Sequence, residues 1–371
     1  MARPTAAEIS LSALRRNFRI IRSLLPPSSS VLAVVKADGY GHGAAPVARA
    51  LSAAGARMFG VATVEEGVEL REAGIAEPIV VLGGADETQA EEAHRGGLSP
   101  AVFEAGQIPY LARIAAARSR PFAVHLKIDT GMGRLGFLAA GAPAAVDRLA
   151  AEKALRVEGV MTHLSSADGL SGEDREFTRG QLAAFAGLLP RVRKALGGGV
   201  LSHAQNSAGI ILHREPAFDM ARPGITLYGS LPADGVGADL GLAPVMRLVT
   251  KIVSLKELPA GHPVSYGRHY SRPEARRIAV VPIGYADGYR RSFSNAASMT
   301  VMGKAAPVAG RVCMDHTMID VTGIPGASVG TDVVVMGAGA QSADDLARIA
   351  GTIPYEILTQ VGRRVPRRIV D

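Results

Sequence analysis

A lysine stands where the first predicted strand ends. Lys36 follows the apolar run VLAVV, and a turn begins at once in KADGYGHG. A lysine removed from water has a lowered pKa and can form a Schiff base with a carbonyl, of a substrate or of pyridoxal phosphate. Taken alone, Lys36 is explained equally well as an edge lysine whose amine reaches water.

Other polar side chains stand near the ends of further predicted strands. They are Asp129 and Thr130 at the end of FAVHLKIDT, Arg134 shortly after it, His163 in RVEGVMTHL, Asn206 and Ser207 in LSHAQNS, and Arg222 shortly before GITLYG. In a β/α barrel, functional groups gather at the carboxyl ends of the strands, so one mouth should hold them all. Ser207 with the backbone amides of Gly224 and Ile225 is a candidate phosphate cradle, because small residues let the backbone approach an anion. Tyr40 can add a hydroxyl to it.

Several classes of function lack support in the sequence. No cluster of Cys, His and carboxylates has metal-ligand spacing, and neither GxGxxG nor GxxxxGK[ST] occurs. The net charge of +7 is spread along the chain and there is no tryptophan, so an acidic small molecule is favoured over nucleic acid. The single cysteine, the absence of an apolar signal region and the absence of a long apolar run predict a cytoplasmic protein without a membrane partner.

The first two thirds of the chain alternate between strand and helix patterns. A predicted helix comes first, with Ser10 as its N-cap and Leu14, Phe18 and Ile21 at helical spacing. Eight strand candidates then follow: VLAVVKA, MFGVAT, PIVVLGG, LSPAVF, FAVHLKIDT, RVEGVMTHL, LSHAQNS and GITLYG. Helical stretches such as EDREFTRGQLAAFAGLL separate most of them. Eight strands with helical crossovers predict a closed parallel (β/α)8 barrel of the α/β class.

The pattern changes after about residue 242. Short β-branched runs such as MRLVTKIVSL, RRIAVVPIGYADG and TDVVVMG are separated by Gly and Pro, and only SADDLARIAG has a clear helical pattern. This predicts a mostly antiparallel C-terminal β domain. We expect a barrel domain at 1–240 and a β domain at 241–371, with about the first ten residues packed on the β domain.

Nine motifs in sequence order resemble those of one known family. They are VVKADGYGHG, HLKIDTGMGRLG, MTHLSSAD, NSAG, ARPGITLYG, VSYG, GYADGY, RVCMDHTMID and the terminal RRVPRRIVD. Together they cover almost the whole chain and resemble the alanine racemases, pyridoxal-phosphate enzymes of fold type III. The resemblance implies an eight-stranded barrel, a C-terminal β domain and a head-to-tail homodimer whose active sites are shared across the interface. It also implies interconversion of L- and D-alanine, which supplies or uses D-alanine for peptidoglycan.

The resemblance also assigns roles to single residues. Lys36 is similar to the lysine that holds the cofactor as an internal aldimine, and Tyr266 to a second base supplied by the partner subunit. The residues that resemble further cofactor contacts are Tyr40, His163, Asn206, Ser207, Arg222, Gly224, Ile225 and Tyr355. Those that resemble substrate contacts are Arg134, Met314 and Tyr285, the last two from the other chain. Lys127 matches a lysine that is often carbamylated; its alternative role is an ion pair with Asp129, which shares its strand face.

The residue types suit a racemase. Two opposed bases can remove a proton from one face of a Cα and deliver another to the opposite face. A free tyrosine has a pKa of about 10, so Tyr266 needs positive charge nearby, which the resemblance assigns to His163 and Arg222. An arginine at the pyridine nitrogen accepts no hydrogen bond and leaves a weaker electron sink than a carboxylate would. We hypothesise that this limits side reactions; an Arg222→Glu protein without increased transamination would contradict the hypothesis.

Three alternatives remain at this point. A broader amino-acid racemase differs only in pocket width, which the sequence does not show. A basic amino-acid decarboxylase shares the barrel and the lysine but would carry an acidic residue in place of Arg222. A non-catalytic pyridoxal-phosphate carrier would lack both the C-terminal β domain and Tyr266.

Overall fold

The first part of the protein is a closed barrel of parallel strands. The computed structural model describes residues 3–371. The elements of this part are β1 (Ala6–Ile9), α1 (Leu11–Ser23), β2 (Ser30–Val34), α2 (Lys36–Gly41), α3 (Ala44–Ala53), β3 (Met58–Val61), α4 (Val64–Glu72), β4 (Ile79–Val81), α5 (Glu87–Arg95), β5 (Leu98–Val102), α6 (Gln107–Ala117), β6 (Phe122–Asp129), β7 (Phe137–Leu138), α7 (Ala142–Ala151), β8 (Leu155–Met161), α8 (Gly172–Leu196), β9 (Leu201–His203), α9 (Ser207–Leu212) and β10 (Met220–Ala221). Strands β5, β4, β3, β2, β10, β9, β8 and β6 are neighbours in that order, and pairing of β5 with β6 closes the ring. The predicted eight-stranded barrel is confirmed.

Local sequence explains why these elements form. The Ser10 side chain accepts a hydrogen bond from the amide of Ala13 and so caps α1, as predicted. The helix buries Leu14, Phe18 and Ile21 on one face. Barrel strands such as β3, β4 and β5 are buried at every residue, as expected for parallel strands covered by helices on the outside.

The prediction for the eighth strand is wrong. The segment GITLYG forms a 3₁₀ helix at Ile225–Tyr228, and the eighth strand is the two-residue β10 that precedes it. Pro223 has no N–H to continue the ladder, and Gly224 leaves extended geometry with φ −123° and ψ −94°. Arg222 therefore follows its strand instead of preceding it. In this respect it resembles the other polar site residues that were predicted at the ends of strands.

The second part is mostly antiparallel, as predicted. Its elements are β11 (Met246–Lys251), β12 (Ser254–Leu258), β13 (Arg276–Val281), β14 (Ser298–Val301), β15 (Lys304–Pro307), β16 (Thr317–Asp320), β17 (Asp332–Met336), α10 (Ala343–Ala350), α11 (Pro354–Thr359) and β18 (Arg367–Ile369). Short 3₁₀ helices lie at Ala238–Leu240, Tyr266–Arg268, Tyr285–Asp287 and Arg291–Phe293. One sheet has the order β15-β14-β17-β11-β1-β18, and a second joins β12, β13 and β16.

One helix of this part was not predicted from the pattern. Helix α11 begins at Pro354, is only six residues long and has no clear apolar period, yet it brings Tyr355 toward the barrel. Strand β1 lies between β11 and β18, antiparallel to the first and parallel to the second. Among residues 3–371, no helix has the length and apolar character needed to cross a membrane.

Candidate active site

A cavity of about 300 Å³ opens at the carboxyl ends of the barrel strands. Eleven of the predicted site residues line it: Lys36, Tyr40, Lys127, Arg134, His163, Asn206, Ser207, Arg222, Gly224, Ile225 and Tyr355. Four of these side chains are lysine or arginine, and the lining contains no carboxylate among the residues that the structure describes. Such a cavity favours an anionic ligand.

Lys36 begins an uncommon turn. The residues after it, Ala37, Asp38, Gly39 and Tyr40, have φ between 52° and 59° and ψ between 39° and 52°, which is one turn of left-handed helix. Each non-glycine residue in that conformation costs roughly 1–2 kcal/mol. Strain of this kind persists only where the surroundings hold it in place, and it is common at functional sites.

Contacts from three directions hold the turn. The Glu66 carboxylate accepts from the amide of Ala37 over 2.6 Å, and Asp38 Oδ1 accepts from the amide of Ala44 over 2.8 Å. From the C-terminal part, Arg367 Nε donates to the Gly41 carbonyl over 2.9 Å. Both parts of the chain therefore fix the backbone that follows Lys36.

The environment of Lys36 favours its neutral amine. Burial, and after it the positive charge of Arg134, lowers the pKa of Lys36, against a smaller opposing effect of Glu66. The neutral amine is the form that attacks a carbonyl or accepts a proton. The position at a strand end thus explains both the accessibility and the reactivity of this lysine.

Tyr40 and Gly224 form one wall of the cavity. The Tyr40 ring stacks on Tyr228 with centroids 4.7 Å apart, and burial raises the pKa of its hydroxyl. A Cβ at Gly224 would lie 2.4 Å from the Tyr40 oxygen, so only glycine leaves this wall undisturbed. The Gly224 amide donates to Ser207 Oγ over 3.0 Å, which holds the two predicted cradle segments together.

Asn206 has a structural contact beside the same wall. Its side-chain oxygen accepts from the amide of Gly209 over 2.9 Å and caps α9, while its Nδ2 donates to the Leu164 carbonyl over 3.4 Å. Asn206 therefore orients Ser207 as well as lining the cavity.

Arg222 is a buried cation without an acidic partner among residues 3–371. Its Nη1 donates to Nδ1 of His203 over 3.0 Å and to the His203 carbonyl over 2.7 Å. Its Nη2 donates to the carbonyls of Thr162 and Ala204 and, over 3.2 Å, to Nδ1 of His163. Burial lowers the pKa of Arg222 to about 10, so the guanidinium stays charged at neutral pH.

His163 lines the cavity as a neutral imidazole. Burial, and then the charge of Arg222, lowers its pKa well below the ordinary value. Because Arg222 can only donate, Nδ1 of His163 must accept, and the ring proton resides on Nε2. That Nε2 has no hydrogen-bond partner in the described chain and can donate to a further group.

Lys127 and Arg134 are placed by the segment that follows β6. The Asp129 carboxylate accepts hydrogen bonds from the amides of Gly131, Met132 and Arg134. Within the described range Asp129 forms no ion pair with Lys127, so that alternative from the sequence is wrong. Burial, and then the charges of Arg222 and Arg134, lowers the pKa of Lys127 to about 8.

Three predicted site residues lie away from the cavity. Tyr266, Tyr285 and Met314 are 71%, 44% and 53% exposed and belong to the C-terminal part. The amides of Tyr285 and Ala286 donate to the carbonyls of Cys313 and Met314, so two of the three are neighbours. Tyr266 lines an open depression together with Cys313.

Sequence reasoning missed several groups around the site. His203, Thr162 and Tyr228 hold Arg222 and Tyr40 and were not among the predicted site residues. His203 ends β9 and Thr162 directly follows β8, but both lay inside the longer strands that the sequence predicted. His203 lies within the strand LSHAQNS, and its polar side chain on a buried strand was the available signal. Among residues 3–371, no three His, Cys, Asp or Glu side chains converge to hold a metal ion.

Family models and curated relatives match this chain over almost its full length. The family model "Alanine racemase, N-terminal domain" matches residues 9–232, and "Alanine racemase, C-terminal domain" matches residues 245–369. An alanine racemase of Geobacter sulfurreducens is 41% identical, covering 99% of this chain and 97% of the relative. One of Halothermothrix orenii is 43% identical, with coverage of 99% and 97%.

Solved structures give the same result. The crystal structure of alanine racemase from D-cycloserine producing Streptomyces lavendulae has a TM-score of 0.93 and 36% identity, covering 100% of this chain and 98% of that chain. The sequence, the order of the two domains and the fold of this chain therefore all match those of alanine racemases. The chain belongs to the alanine racemase family of isomerases.

Proposed function

We propose that this enzyme interconverts L- and D-alanine with pyridoxal phosphate, using Lys36 of one subunit and Tyr266 of the partner subunit as opposed bases. The observation that carries the proposal is the cavity at the barrel mouth, which combines a half-buried lysine of lowered pKa with a lining that contains two arginines. The family relationship supports the reaction class.

The residues of the cavity fit pyridoxal phosphate. The terminal nitrogens of Arg222 are all engaged with protein groups, whereas its Nε donates to no described residue and is available for the ring nitrogen. At the other end, the space beside Gly224 suits an anionic group, and a Cβ would close it. When bound, the cofactor supplies an electron-withdrawing ring that acidifies the Cα–H of an amino acid.

Each end of the cofactor has its own set of residues. Lys36 would hold the carbonyl carbon of the cofactor covalently. The phosphate would be held by Ser207, by the amides of Gly224 and Ile225, and by the hydroxyls of Tyr40 and Tyr355. Burial raises the pKa of both tyrosines, so they stay protonated and can donate hydrogen bonds to an anion.

The proton chemistry needs a second base. Lys36 Nζ takes or delivers the proton on one face of the substrate Cα. Tyr40 and Tyr355 stay protonated because burial raises their pKa, and Nδ1 of His163 already accepts a hydrogen bond from Arg222. We therefore propose that the base for the opposite face comes from a second chain.

A second copy of the chain would provide the missing group. Tyr266, Tyr285 and Met314 share the C-terminal part, are exposed, and do not reach the cavity of their own chain. In the proposed head-to-tail homodimer they face the partner's cavity, with Tyr266 as base, Tyr285 at the entrance and Met314 near the substrate carboxylate. The free Nε2–H of His163 can stabilise the phenolate of the partner's Tyr266, with the charge of Arg222 behind it.

The remaining cations suit the substrate carboxylate. Arg134 lines the cavity and lies in the loop whose backbone amides donate to the Asp129 carboxylate. We propose that it binds the carboxylate and that a carbamate on Lys127 steadies it. The lowered pKa of Lys127 favours the neutral amine, which is the form that reacts with CO₂.

The direct test is chiral analysis. We expect that the purified protein with pyridoxal phosphate converts L-alanine to an equal mixture of both enantiomers. Inversion of serine or a basic amino acid without inversion of alanine would contradict the proposed substrate. We further propose a cytoplasmic role in providing or using D-alanine for peptidoglycan, for which rescue of a D-alanine-requiring bacterium is the test.

A further inference from the structure

A row of imidazoles extends from Arg222 into the barrel interior. Nη1 of Arg222 lies 3.0 Å from Nδ1 of His203, and Nε2 of His203 lies 2.9 Å from Nδ1 of His125. Both histidines are completely buried. The row starts at the residue proposed to face the cofactor ring and ends at a side chain that does not line the cavity.

The direction of these hydrogen bonds follows from the chemistry of arginine. The guanidinium has donors only, so Nδ1 of His203 must accept. The proton of neutral His203 then resides on Nε2 and is donated to Nδ1 of His125. His125 must therefore carry its own proton on Nε2, which is buried and has no partner in the described chain.

A glycine on the strand between the two histidines leaves the space that this row needs. His125 is on β6 and His203 on β9, and β8 lies between the two strands. On β8, Gly159 pairs with His125, and a Cβ at Gly159 would lie 2.4 Å from the His125 Nδ1 atom. Without a glycine there, the His125 ring would not fit beside His203.

We propose that His125 is a positioning residue for Arg222 and acts through His203. By accepting from Nε2–H of His203, it keeps His203 in the tautomer whose Nδ1 accepts from Arg222. Without an acceptor at residue 125, that N–H is buried and unpaired, which is unfavourable. The other tautomer would place an N–H against the Nη1 donor of Arg222, so the guanidinium would lose one of the contacts that orient it.

The alternative is that His125 only fills space in the barrel. Asn and Leu side chains have nearly the same size, and only Asn keeps an acceptor near the position of Nδ1. His125→Asn and His125→Leu therefore create similar cavities and differ in the hydrogen bond. Comparing the two variants therefore separates the effect of losing the hydrogen-bond acceptor from the effect of losing side-chain volume.

The first measurement is the dissociation constant for pyridoxal phosphate, obtained by absorbance titration of cofactor-free protein. We expect His125→Asn to bind within about 3-fold of the wild type and His125→Leu to bind about 10-fold or more weakly. Equal affinity of the two variants, whether both match the wild type or both are weakened alike, would overturn the proposal.

The second measurement does not need a variant at residue 125. In cofactor-free wild-type protein with ¹⁵N-labelled histidine, we expect NMR to show His203 neutral with its proton on Nε2. A His203→Asn protein identifies the signal. A charged His203, or a proton on Nδ1, would overturn the proposal.

The inference rests on the proposed role of Arg222. The two measurements distinguish a failure of the inference from a failure of the proposed function. If the wild type bound no pyridoxal phosphate, the proposed function would fail. The His203 tautomer would still show whether the row of hydrogen bonds runs as argued.

Discussion

The hydroxyl of Tyr40 lies against Gly224 so closely that a Cβ at residue 224 would come within 2.4 Å of its oxygen. The Tyr40 ring cannot easily retreat, because it stacks on the buried ring of Tyr228. The shape of the proposed phosphate cradle therefore depends on the absence of one side chain.

Replacement of Gly224 by Ala should weaken cofactor binding. An added Cβ would collide with the Tyr40 hydroxyl, so either the tyrosine ring or the backbone at residue 224 has to shift. Overpacking of this kind costs about 1–3 kcal/mol, and we expect a dissociation constant for pyridoxal phosphate about 5- to 150-fold higher. Gly180→Ala on the exposed face of α8, where a Cβ meets nothing within 4 Å, is the control. Unchanged affinity of Gly224→Ala would contradict the proposed cradle.

The covalent attachment of the cofactor should be specific to Lys36. Borohydride reduction of the loaded protein, followed by peptide mass spectrometry, should place the added mass on Lys36. Lys127 lines the same cavity and serves as the internal control. Lys36→Ala should lose the reducible link and about 10²–10⁴-fold or more of the racemase rate. Label on Lys127 instead would reject the assignment.

Two inactive variants should restore activity when combined. If each site joins Lys36 of one subunit with Tyr266 of the partner subunit, a heterodimer of Lys36→Ala and Tyr266→Phe has one intact site. Random pairing should then give up to about a quarter of the wild-type activity after co-expression. Separately tagged chains allow purification of the heterodimer. A purified heterodimer without activity would exclude a shared site.

Carbamylation of Lys127 should depend on pH. Its pKa is lowered to about 8, so the unreactive ammonium dominates below that pH and the free amine above it. With ¹³C-labelled CO₂ at constant concentration, the carbamate signal in NMR should grow as the pH rises through 8. Lys127→Arg should lack the signal. A signal that persists in this variant would show that another amine is modified.

His42 should make the protein less stable in acid. Its Nδ1 lies 3.0 Å and 2.9 Å from the carbonyls of Gly39 and Tyr40, and burial lowers its pKa to about 4. The unfolded state, with a pKa of about 6.5, binds more protons as the pH falls, so stability falls too. From pH 7 to pH 5 this single group should remove about 2 kcal/mol.

Denaturant unfolding at the two pH values measures that loss. His42→Asn can still donate to the same carbonyls but does not titrate, so its loss between pH 7 and pH 5 should be smaller by about 2 kcal/mol. His262→Asn, at an exposed residue, should leave the loss as in the wild type. An equal loss in wild type and His42→Asn would show that the burial of His42 is not coupled to folding.

The barrel was predictable because most of its strands are buried apolar runs that alternate with helical stretches. The eighth strand was not, because Met220–Ala221 is too short for any period to appear, while GITLYG has a strand-like composition in a 3₁₀ helix. The same limit applies to α11, whose six residues contain no amphipathic repeat.

The candidate site was predictable at strand ends and less so elsewhere. Lys36, His163 and Ser207 follow strands, and the fold brings them to one cavity. The left-handed turn after Lys36 was not visible, because Ala, Asp and Tyr all disfavour that conformation and only tertiary contacts impose it. For Tyr266, the resemblance to the family was the only indication, because no pattern within one chain points to the proposed sharing of the site between two chains.

The position of β1 between β11 and β18 has a consequence for biosynthesis. The ribosome delivers Ala6–Ile9 first and Arg367–Ile369 last, yet the two strands are direct neighbours in the finished sheet. During synthesis, β1 therefore lacks its neighbour β18 until almost all of the residues between the two strands have been translated. A fragment that began after residue 240 would lack this interior strand and would expose the edges of β11 and β18, which invites aggregation.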